Sequence, residues 1–76
     1  YYLIRLFRKV VGMAPYAYLN QIRVEKAKQF LSKGTPIADV ALSVGMSDQS
    51  HLNRHFKRIV GVTPGYYRSM MSTLFK

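Results

Sequence analysis

The stretch from residue 35 to residue 58, TPIADVALSVGMSDQSHLNRHFKR, predicts two short helices joined by a tight turn. An apolar stripe with helical spacing marks the first helix, at Ile37, Val40, Ala41 and Val44. Gly45 is expected to end that helix, because a residue without a Cβ adopts the left-handed conformation at little cost. The second helix has its own apolar face, formed by Leu52, Phe56, Ile59 and Val60. Two short helices around such a turn are typical of a helix-turn-helix unit, here residues 36–59.

Polar residues at the start of each helix suggest how these helices begin. Thr35 is expected to cap the first helix, with Pro36 in its first turn. Ser47 is expected to cap the second helix, with Asp48 in its first turn near the positive end of the dipole. The outer positions of the second helix are nearly all hydrogen-bond donors: Gln49, Ser50, His51, Asn53, Arg54, Lys57 and Arg58. We interpret this unit as one that reads DNA.

Three further helices complete a single all-α domain over residues 1–76. Residues 1–11 form the first, with an apolar face of Leu3, Leu6, Phe7 and Val10. Residues 15–33 form a long central helix whose apolar positions are Tyr18, Leu19, Ile22, Val24, Ala27, Phe30 and Leu31. Residues 64–71 form a closing helix capped by Thr63, and residues 72–76 are expected to fray. No capping residue precedes Tyr1, so we expect that the chain is cut inside or just before a helix.

Composition narrows the class of partner. The 76 residues include 12 Lys and Arg against three acids, for a formal charge of +9. Such an excess favours a polyanion, either nucleic acid or an anionic membrane surface. No apolar run approaches the roughly 18 residues that a membrane span needs. The absence of cysteine excludes disulfide frameworks and fits a cytoplasmic location, which we expect.

An internal repeat links the two ends of the chain. Displaced by 49 positions, the difference between Leu3 and Leu52, core, turn and cap residues match together. The matching pairs are Leu3 with Leu52, Arg5 with Arg54, Phe7 with Phe56, Gly12 with Gly61, Pro15 with Pro64 and Tyr18 with Tyr67. Residues 1–11 therefore correspond to the second helix of the unit at 36–59, and the counterpart of its first helix is expected upstream of Tyr1.

A longer pattern runs through the chain as far as Arg68. Its downstream part is Ile37–Ala41, Val44–Asp48, Ser50, Leu52, Arg54, Phe56, Lys57, Gly61, Thr63, Pro64, Tyr67 and Arg68. Its upstream part is Leu3, Phe7, Arg8, Lys9, Gly12, Pro15, Tyr18, Leu19, Arg23 and Ala27. In these residues the chain resembles the DNA-binding domain of the AraC/XylS family of bacterial transcription regulators. Met46 stands where that family favours Phe, an acceptable change in an apolar slot.

The resemblance implies a fold of seven helices, in which a long central helix joins tandem, homeodomain-like helix-turn-helix units. Each unit places a recognition helix in the major groove, in successive turns of double-stranded DNA. The first unit is incomplete here, because the family's first helix and the first half of that unit are missing. A full-length relative usually carries an effector-binding or dimerisation domain, also absent from this chain, and recruits RNA polymerase at a promoter.

The candidate DNA contacts follow from the exposed face of each recognition helix. In the second unit, base contacts are expected from Gln49, Ser50, His51 and Arg54. In the first unit, the corresponding base contacts are expected from Tyr1, Ile4 and Arg5, with Tyr2 beside them. Family analogy places phosphate contacts at helix N-termini, which makes Ser47 a candidate. Further phosphate attraction is expected from Lys57, Arg58, Arg8 and Lys9.

Other functions receive less support from the residues. His51, His55 and Asp48 have a spacing that could hold a metal, but no HExxH motif is present, and we expect no metal and no cofactor. No acid–base pair or nucleophilic set is visible, so we expect no enzymatic activity. A membrane-surface helix remains the alternative function, although repeated Gly and Pro breaks argue against it. The chain also lacks the usual sequence signatures of an RNA-binding module. Arg23 and Arg68 are interpreted as structural.

Overall fold

The structure, a computed structural model, describes residues 2–74. These residues form five α-helices in the order α1 (Tyr2–Val11), α2 (Pro15–Ser32), α3 (Ile37–Ser43), α4 (Gln49–Val60) and α5 (Pro64–Leu74). The all-α expectation is confirmed. The central helix ends at Ser32, one residue before the predicted end. The closing helix runs to Leu74, three residues beyond its predicted end at Met71.

The core lies where α2, α3 and α4 meet. Its buried side chains are Val24, Ala27, Leu31, Val40, Ala41, Val44, Met46, Leu52 and Phe56. Small Ala41 is fully buried, which allows α3 and α4 to approach closely. Met46 is only 3% exposed and fills the apolar slot between these helices as expected. Gly45, between them, has a φ of +89°, which a residue with a Cβ rarely adopts.

Helix α5 closes the second helix-turn-helix unit. Its first residue, Pro64, is buried, and Tyr67 packs edge-to-face against Phe56 with ring centroids 5.5 Å apart. The guanidinium of Arg68 donates a hydrogen bond of 2.9 Å to the backbone oxygen of Thr35. This contact ties α5 to the start of α3, so the structural role expected of Arg68 is confirmed.

The internal repeat is visible in three dimensions. Phe7 of α1 packs edge-to-face against Tyr18 of α2 at 5.6 Å, the same arrangement as the Phe56–Tyr67 pair 49 positions later. The turns after α1 and α4 both contain a glycine with positive φ. Helix α1 differs from α4 in one respect, because none of its residues is buried. The apolar side chains of Leu3 and Val10 are both 75% exposed.

The start of α3 differs from the expectation in its cap. Pro36 has an extended ψ of 140°, so it is the N-cap and Ile37 is the first helical residue. The side chain of Thr35 makes no capping hydrogen bond. Because the helix begins at Ile37 and Pro36 holds the N-cap position, Thr35 lies one position too early to cap. Its carbonyl instead accepts from Arg68.

The buried face of α2 is not the one that its most apolar residues predict. Asn20 is fully buried in line with Val24, Ala27 and Leu31, whereas Tyr18, Leu19 and Ile22 are each about two-fifths exposed. This face is determined by contact with α3 and α4, which the helical spacing of α2 alone cannot reveal. Neither amide atom of Asn20 has a hydrogen-bond partner among the described residues.

The molecule is elongated. Its principal extents are 48, 24 and 17 Å, and its radius of gyration is 14.0 Å. A compact domain of this length would have a radius of gyration of about 11 Å. The difference arises because α1 lies against α2 with none of its residues buried, while α2 to α5 pack around the core.

Candidate nucleic-acid interface

The N-terminus of α4 is fixed by Asp48. Asp48 has extended backbone angles, and its Oδ1 accepts the backbone N–H of His51 at 2.8 Å. Asp48 is therefore the N-cap, and the expectation that Ser47 caps this helix is wrong. A carboxylate suits this position better than a hydroxyl, because it also faces the positive end of the helix dipole.

Ser47 contacts the ring of His51 instead. The backbone N–H of Ser47 donates to His51 Nδ1 at 3.3 Å, and the Ser47 hydroxyl lies 3.2 Å from the same nitrogen. Because Nδ1 accepts the backbone N–H, the neutral ring carries its proton on Nε2. His51 is half-buried, and its Nε2–H is the ring donor that Ser47 leaves free.

The other base-contact candidates of α4 are exposed, and two of them lie on one face. Gln49, Ser50 and Arg54 are all exposed, and Arg54 lies one turn after Ser50. A shallow groove of about 540 Å³ runs along this face. Its lining consists of Ser50, Asn53, Arg54, Lys57, Arg58 and Thr63. The structure thus brings two of the four predicted base contacts together with two predicted phosphate contacts.

Helix α1 presents a smaller version of the same surface. A groove of about 360 Å³ is lined by Tyr2, Arg5, Leu6 and Lys9. Arg5 and Lys9 are the repeat counterparts of Arg54 and Arg58. Ile4 and Arg8 are exposed on the same helix, and Ile4 keeps 44% of its surface accessible. The base contact predicted for Tyr1 lies outside the described residues.

His55 is buried beside this surface. It is 6% exposed, and its ring packs edge-to-face against His51 at 4.7 Å and against Tyr16 of α2 at 6.4 Å. Nη2 of Arg58 lies 2.8 Å from His55 Nδ1. Burial, reinforced by the nearby charges of Arg58, His51, Arg54 and Arg23, lowers the pKa of His55 below its ordinary value.

The cations of these helices are not neutralised by acids. Within residues 2–74, an ion pair joins Lys28 to Glu25 at 3.1 Å on α2, and no carboxylate pairs with a cation of α1 or α4. The same residues contain no group of three His, Cys, Asp or Glu side chains that could hold a metal ion. None of the five helices has the length and hydropathy to cross a membrane.

Two residues of the α4 groove were not among the predicted contacts. Asn53 lies between Ser50 and Arg54 in sequence and lines the groove with them. Thr63 lines its far end, where its hydroxyl accepts the backbone N–H of Tyr66 at 3.2 Å and so caps α5 as expected. The internal repeat could have identified Asn53, because Asn53 is the counterpart of Ile4, a predicted base contact.

The chain is similar to several known proteins. A family model described as a helix-turn-helix domain matches residues 1–70. The chain is 44% identical over 68 residues to the HTH-type transcriptional regulator MtrA of Neisseria gonorrhoeae, covering 87% of this chain and 22% of that protein. It is 41% identical over 63 residues to a putative AraC-like transcription regulator of Streptomyces antibioticus, covering 82% and 21%.

A solved structure is similar as well. A protein of unknown function from Listeria innocua superposes with a TM-score of 0.84 and 36% identity, over 91% of this chain and 67% of that one. The RCS-specific HTH-type transcriptional activator RclR of Escherichia coli is 39% identical over 71 residues, covering 92% of this chain and 25% of that protein. The chain thus spans about a fifth to a quarter of the length of these curated relatives.

Proposed function

Because the chain belongs to the AraC-type helix-turn-helix family of bacterial transcription regulators, we propose that it binds double-stranded DNA in a sequence-specific manner. Helix α4 is the recognition helix of the second helix-turn-helix unit, and α1 is the recognition helix of the first. The two helices enter successive major grooves. The domain is the output part of a regulator that acts at promoters.

The groove on α4 is the observation that carries this proposal. It combines three cations, Arg54, Lys57 and Arg58, with hydroxyl and amide groups. No acid among the described residues pairs with these cations, so their charge is available to a polyanion. A surface of this kind provides both phosphate attraction and hydrogen bonds to base edges.

Base readout is assigned to the N-terminal half of α4. The guanidinium of Arg54 can bond O6 and N7 of a guanine together, and the amide of Gln49 can bond N6 and N7 of an adenine. Ser50 and Asn53 add shorter contacts beside Arg54. His51 contributes a single donor, Nε2–H, because Ser47 occupies its other nitrogen.

Phosphate contacts are assigned to Lys57 and Arg58 on α4 and to Arg8 and Lys9 on α1. All four side chains are exposed. Ser47 is the least independent of the proposed phosphate contacts, because its amide and hydroxyl both face the His51 ring. A phosphate would have to take one of these two donors from the ring.

The dimensions of the molecule suit two recognition helices. Helix α2, with 18 residues, is about 27 Å long and separates α1 from the second unit. The largest extent of the molecule, 48 Å, accommodates two helices spaced by about 34 Å, one turn of B-DNA. Arg5 is the base-reading donor of α1, while Ile4 can press only on a thymine methyl group. The first helix therefore discriminates less than the second.

The wider role of the protein is proposed from the family. The full-length protein places this domain beside an effector-binding or dimerisation domain in the cytoplasm, and it recruits RNA polymerase at a promoter. The domain itself catalyses no reaction and needs no cofactor. Its function is the binding of a particular DNA sequence.

Selection of bound duplexes from a random pool tests the proposal. The selection is carried out at about 0.15 M salt, where non-specific binding is weakened. Two enriched blocks about one helical turn apart are expected, with the stronger block read by α4. One block alone would mean that α1 merely tethers the domain.

The same assay can refute the proposal. Absence of enrichment, with binding that fades uniformly as salt rises, would make the chain a generic polyanion binder. Pelleting with anionic vesicles, combined with no preference among duplexes, would favour the membrane-surface function instead.

A further inference from the structure

Arg58 is held in place by a buried ring. Its Nη2 lies 2.8 Å from Nδ1 of His55, three residues earlier on α4. A guanidinium only donates hydrogen bonds, so Nδ1 must be the acceptor and the His55 ring must be neutral with its proton on Nε2. His55 is 6% exposed, which leaves its ring little freedom to move.

The contact leaves Arg58 able to bind. A guanidinium has five N–H donors, and the bond to His55 uses one. Arg58 also lines the α4 groove with Arg54 and Lys57. Fixing this long side chain before DNA arrives removes part of the entropy loss that binding would otherwise cause.

We propose that neutral His55 positions Arg58 for the DNA backbone, and that acid releases Arg58 and thereby weakens DNA binding. The inference rests on the proposed function and adds a positioning residue and a pH dependence to it. A proton on Nδ1 removes the only lone pair available to Arg58 and places a positive charge beside its guanidinium. Arg58 then returns to the many conformations of an unrestrained side chain.

The surroundings of His55 decide how it responds to acid. The ionisable groups that face it are Tyr16 and Arg23 from α2, and His51, Arg54 and Arg58 from its own helix. No carboxylate hydrogen-bonds to the His55 ring among residues 2–74, since Asp48 is engaged with the backbone of His51. Every charged neighbour is therefore a cation that opposes protonation, so the ring is neutral at pH 7 and titrates below its ordinary range.

The direction in which acid changes the affinity for DNA distinguishes the positioning of Arg58 from the addition of positive charge. If the histidines acted only by adding positive charge, acid would strengthen binding to a polyanion. The buried ring of His55 does not reach a phosphate. Its protonation therefore breaks the hydrogen bond to Arg58 without adding a phosphate contact in exchange. Restraint of one such side chain corresponds to a loss of about three- to tenfold in affinity.

Fluorescence anisotropy with the selected duplex provides the test, at constant salt between about pH 7.5 and pH 5. Circular dichroism at each pH confirms that the chain remains folded. The decisive variants are His55→Asn, whose Oδ1 can accept from Arg58 but does not titrate, and His55→Ala, which has no acceptor. The matched control is His51→Asn, which keeps an acceptor for Ser47 and leaves the contact between His55 and Arg58 in place. Because His51 is itself a proposed base contact, the affinity of this variant at low pH is compared with its own affinity at pH 7.5.

We expect the affinity of the parent chain and of His51→Asn to fall about three- to tenfold as the pH falls. His55→Asn should show no such fall, and His55→Ala should bind more weakly than His55→Asn at pH 7.5. An affinity that rises with acid, or an equal fall in the His55→Asn variant, would overturn the inference while leaving the proposed function intact. Failure to bind the duplex at pH 7.5 would overturn both.

Nitrogen NMR of the imidazole rings gives a second readout that does not depend on any variant. At pH 7.5 the His55 ring should be the Nε2–H form, with Nδ1 unprotonated. Its titration should coincide with the fall in affinity. The opposite tautomer, or a ring that stays neutral throughout a range in which affinity falls, would exclude His55 as the residue that positions Arg58.

Discussion

Arg54 is the residue whose removal best distinguishes base readout from charge attraction. Replacing it with alanine, Arg54→Ala, should cost about 1–3 kcal/mol of binding free energy on the selected duplex and relax discrimination at one base pair. The reason is that a bidentate guanidinium recognises a guanine edge, which no other residue in the groove would replace. The measurement is a set of dissociation constants on duplexes that carry each base at that position.

Lys57→Ala is the matched control for Arg54. Lys57 lines the same groove but is assigned to phosphate. Its removal should weaken binding about equally on all sequences and reduce the salt dependence by about one charge. If Arg54→Ala behaves in this way as well, Arg54 contacts only the backbone.

Replacing the buried Asn20 with an apolar residue should stabilise the fold. It is fully buried, and neither amide atom has a hydrogen-bond partner among residues 2–74. Leucine branches at Cγ as asparagine does, so Asn20→Leu should keep the packing and raise the free energy of unfolding by about 1–2 kcal/mol. Urea denaturation measures the change. Asn20→Asp should have the opposite effect because it buries a charge, and a loss of stability in the leucine variant would contradict the prediction.

His55 also predicts how stability depends on pH. Its pKa is lowered in the folded state, chiefly by burial, while in the unfolded chain it returns to about 6.5. The unfolded state therefore binds the proton first as the pH falls, and the free energy of unfolding should decline below about pH 6.5. Denaturation at about pH 7.5 and pH 5 measures this, and His55→Asn should remove part of the decline.

Polar residues of the core are the part of the structure that sequence reasoning did not supply. Asparagine and histidine are usually exposed or intermediate, so their burial cannot be inferred from residue type. The burial of Asn20 and His55 depends on how α2 and α4 pack in the folded chain. The exposed positions of Gln49, Ser50 and Arg54 could be predicted, because the apolar face of α4 fixes the opposite face by helical spacing.

At the scale of the elements, helices were predictable and their caps were not. Glycine and proline mark where each helix ends or begins, and all five helices lie where this punctuation indicates. The caps of α3 and α4 each shift by one residue, from Thr35 to Pro36 and from Ser47 to Asp48. Ser47 and Asp48 have similar capping ability and cannot be ranked without the backbone angles, whereas Pro36 holds the cap position of α3 by its backbone conformation alone.

The cap of α4 can be tested by a pair of variants. Asp48→Ala removes the acceptor of the His51 N–H and should lower the free energy of unfolding by about 1 kcal/mol. Ser47→Ala leaves that acceptor in place and should cost less. Thermal denaturation of the two variants gives the comparison. An equal or larger loss for Ser47→Ala would mean that the contact between Ser47 and the His51 ring fixes the helix start.

At the scale of the whole molecule, the two helices proposed to read DNA, α1 and α4, have similar surfaces but unequal support. Helix α4 buries Leu52, His55 and Phe56 in the core, whereas no residue of α1 is buried. The repeat in the sequence predicts the equivalence of the two helices, and the shared Phe–Tyr packing supports it. It does not predict how firmly α1 is held, because stability depends on what covers the exposed side chains of Leu3, Leu6 and Val10.

Hydrogen exchange should reveal this inequality and what DNA does to it. In the free chain, amides of α1 should exchange much faster than those of α4, since few apolar contacts oppose the opening of α1. Addition of the selected duplex should slow exchange in α1 as well, because docking in the major groove orders the helix. The comparison duplex keeps the block read by α4 and scrambles the other. If both duplexes protect α1 equally, α1 contacts only phosphates, and all sequence discrimination belongs to α4.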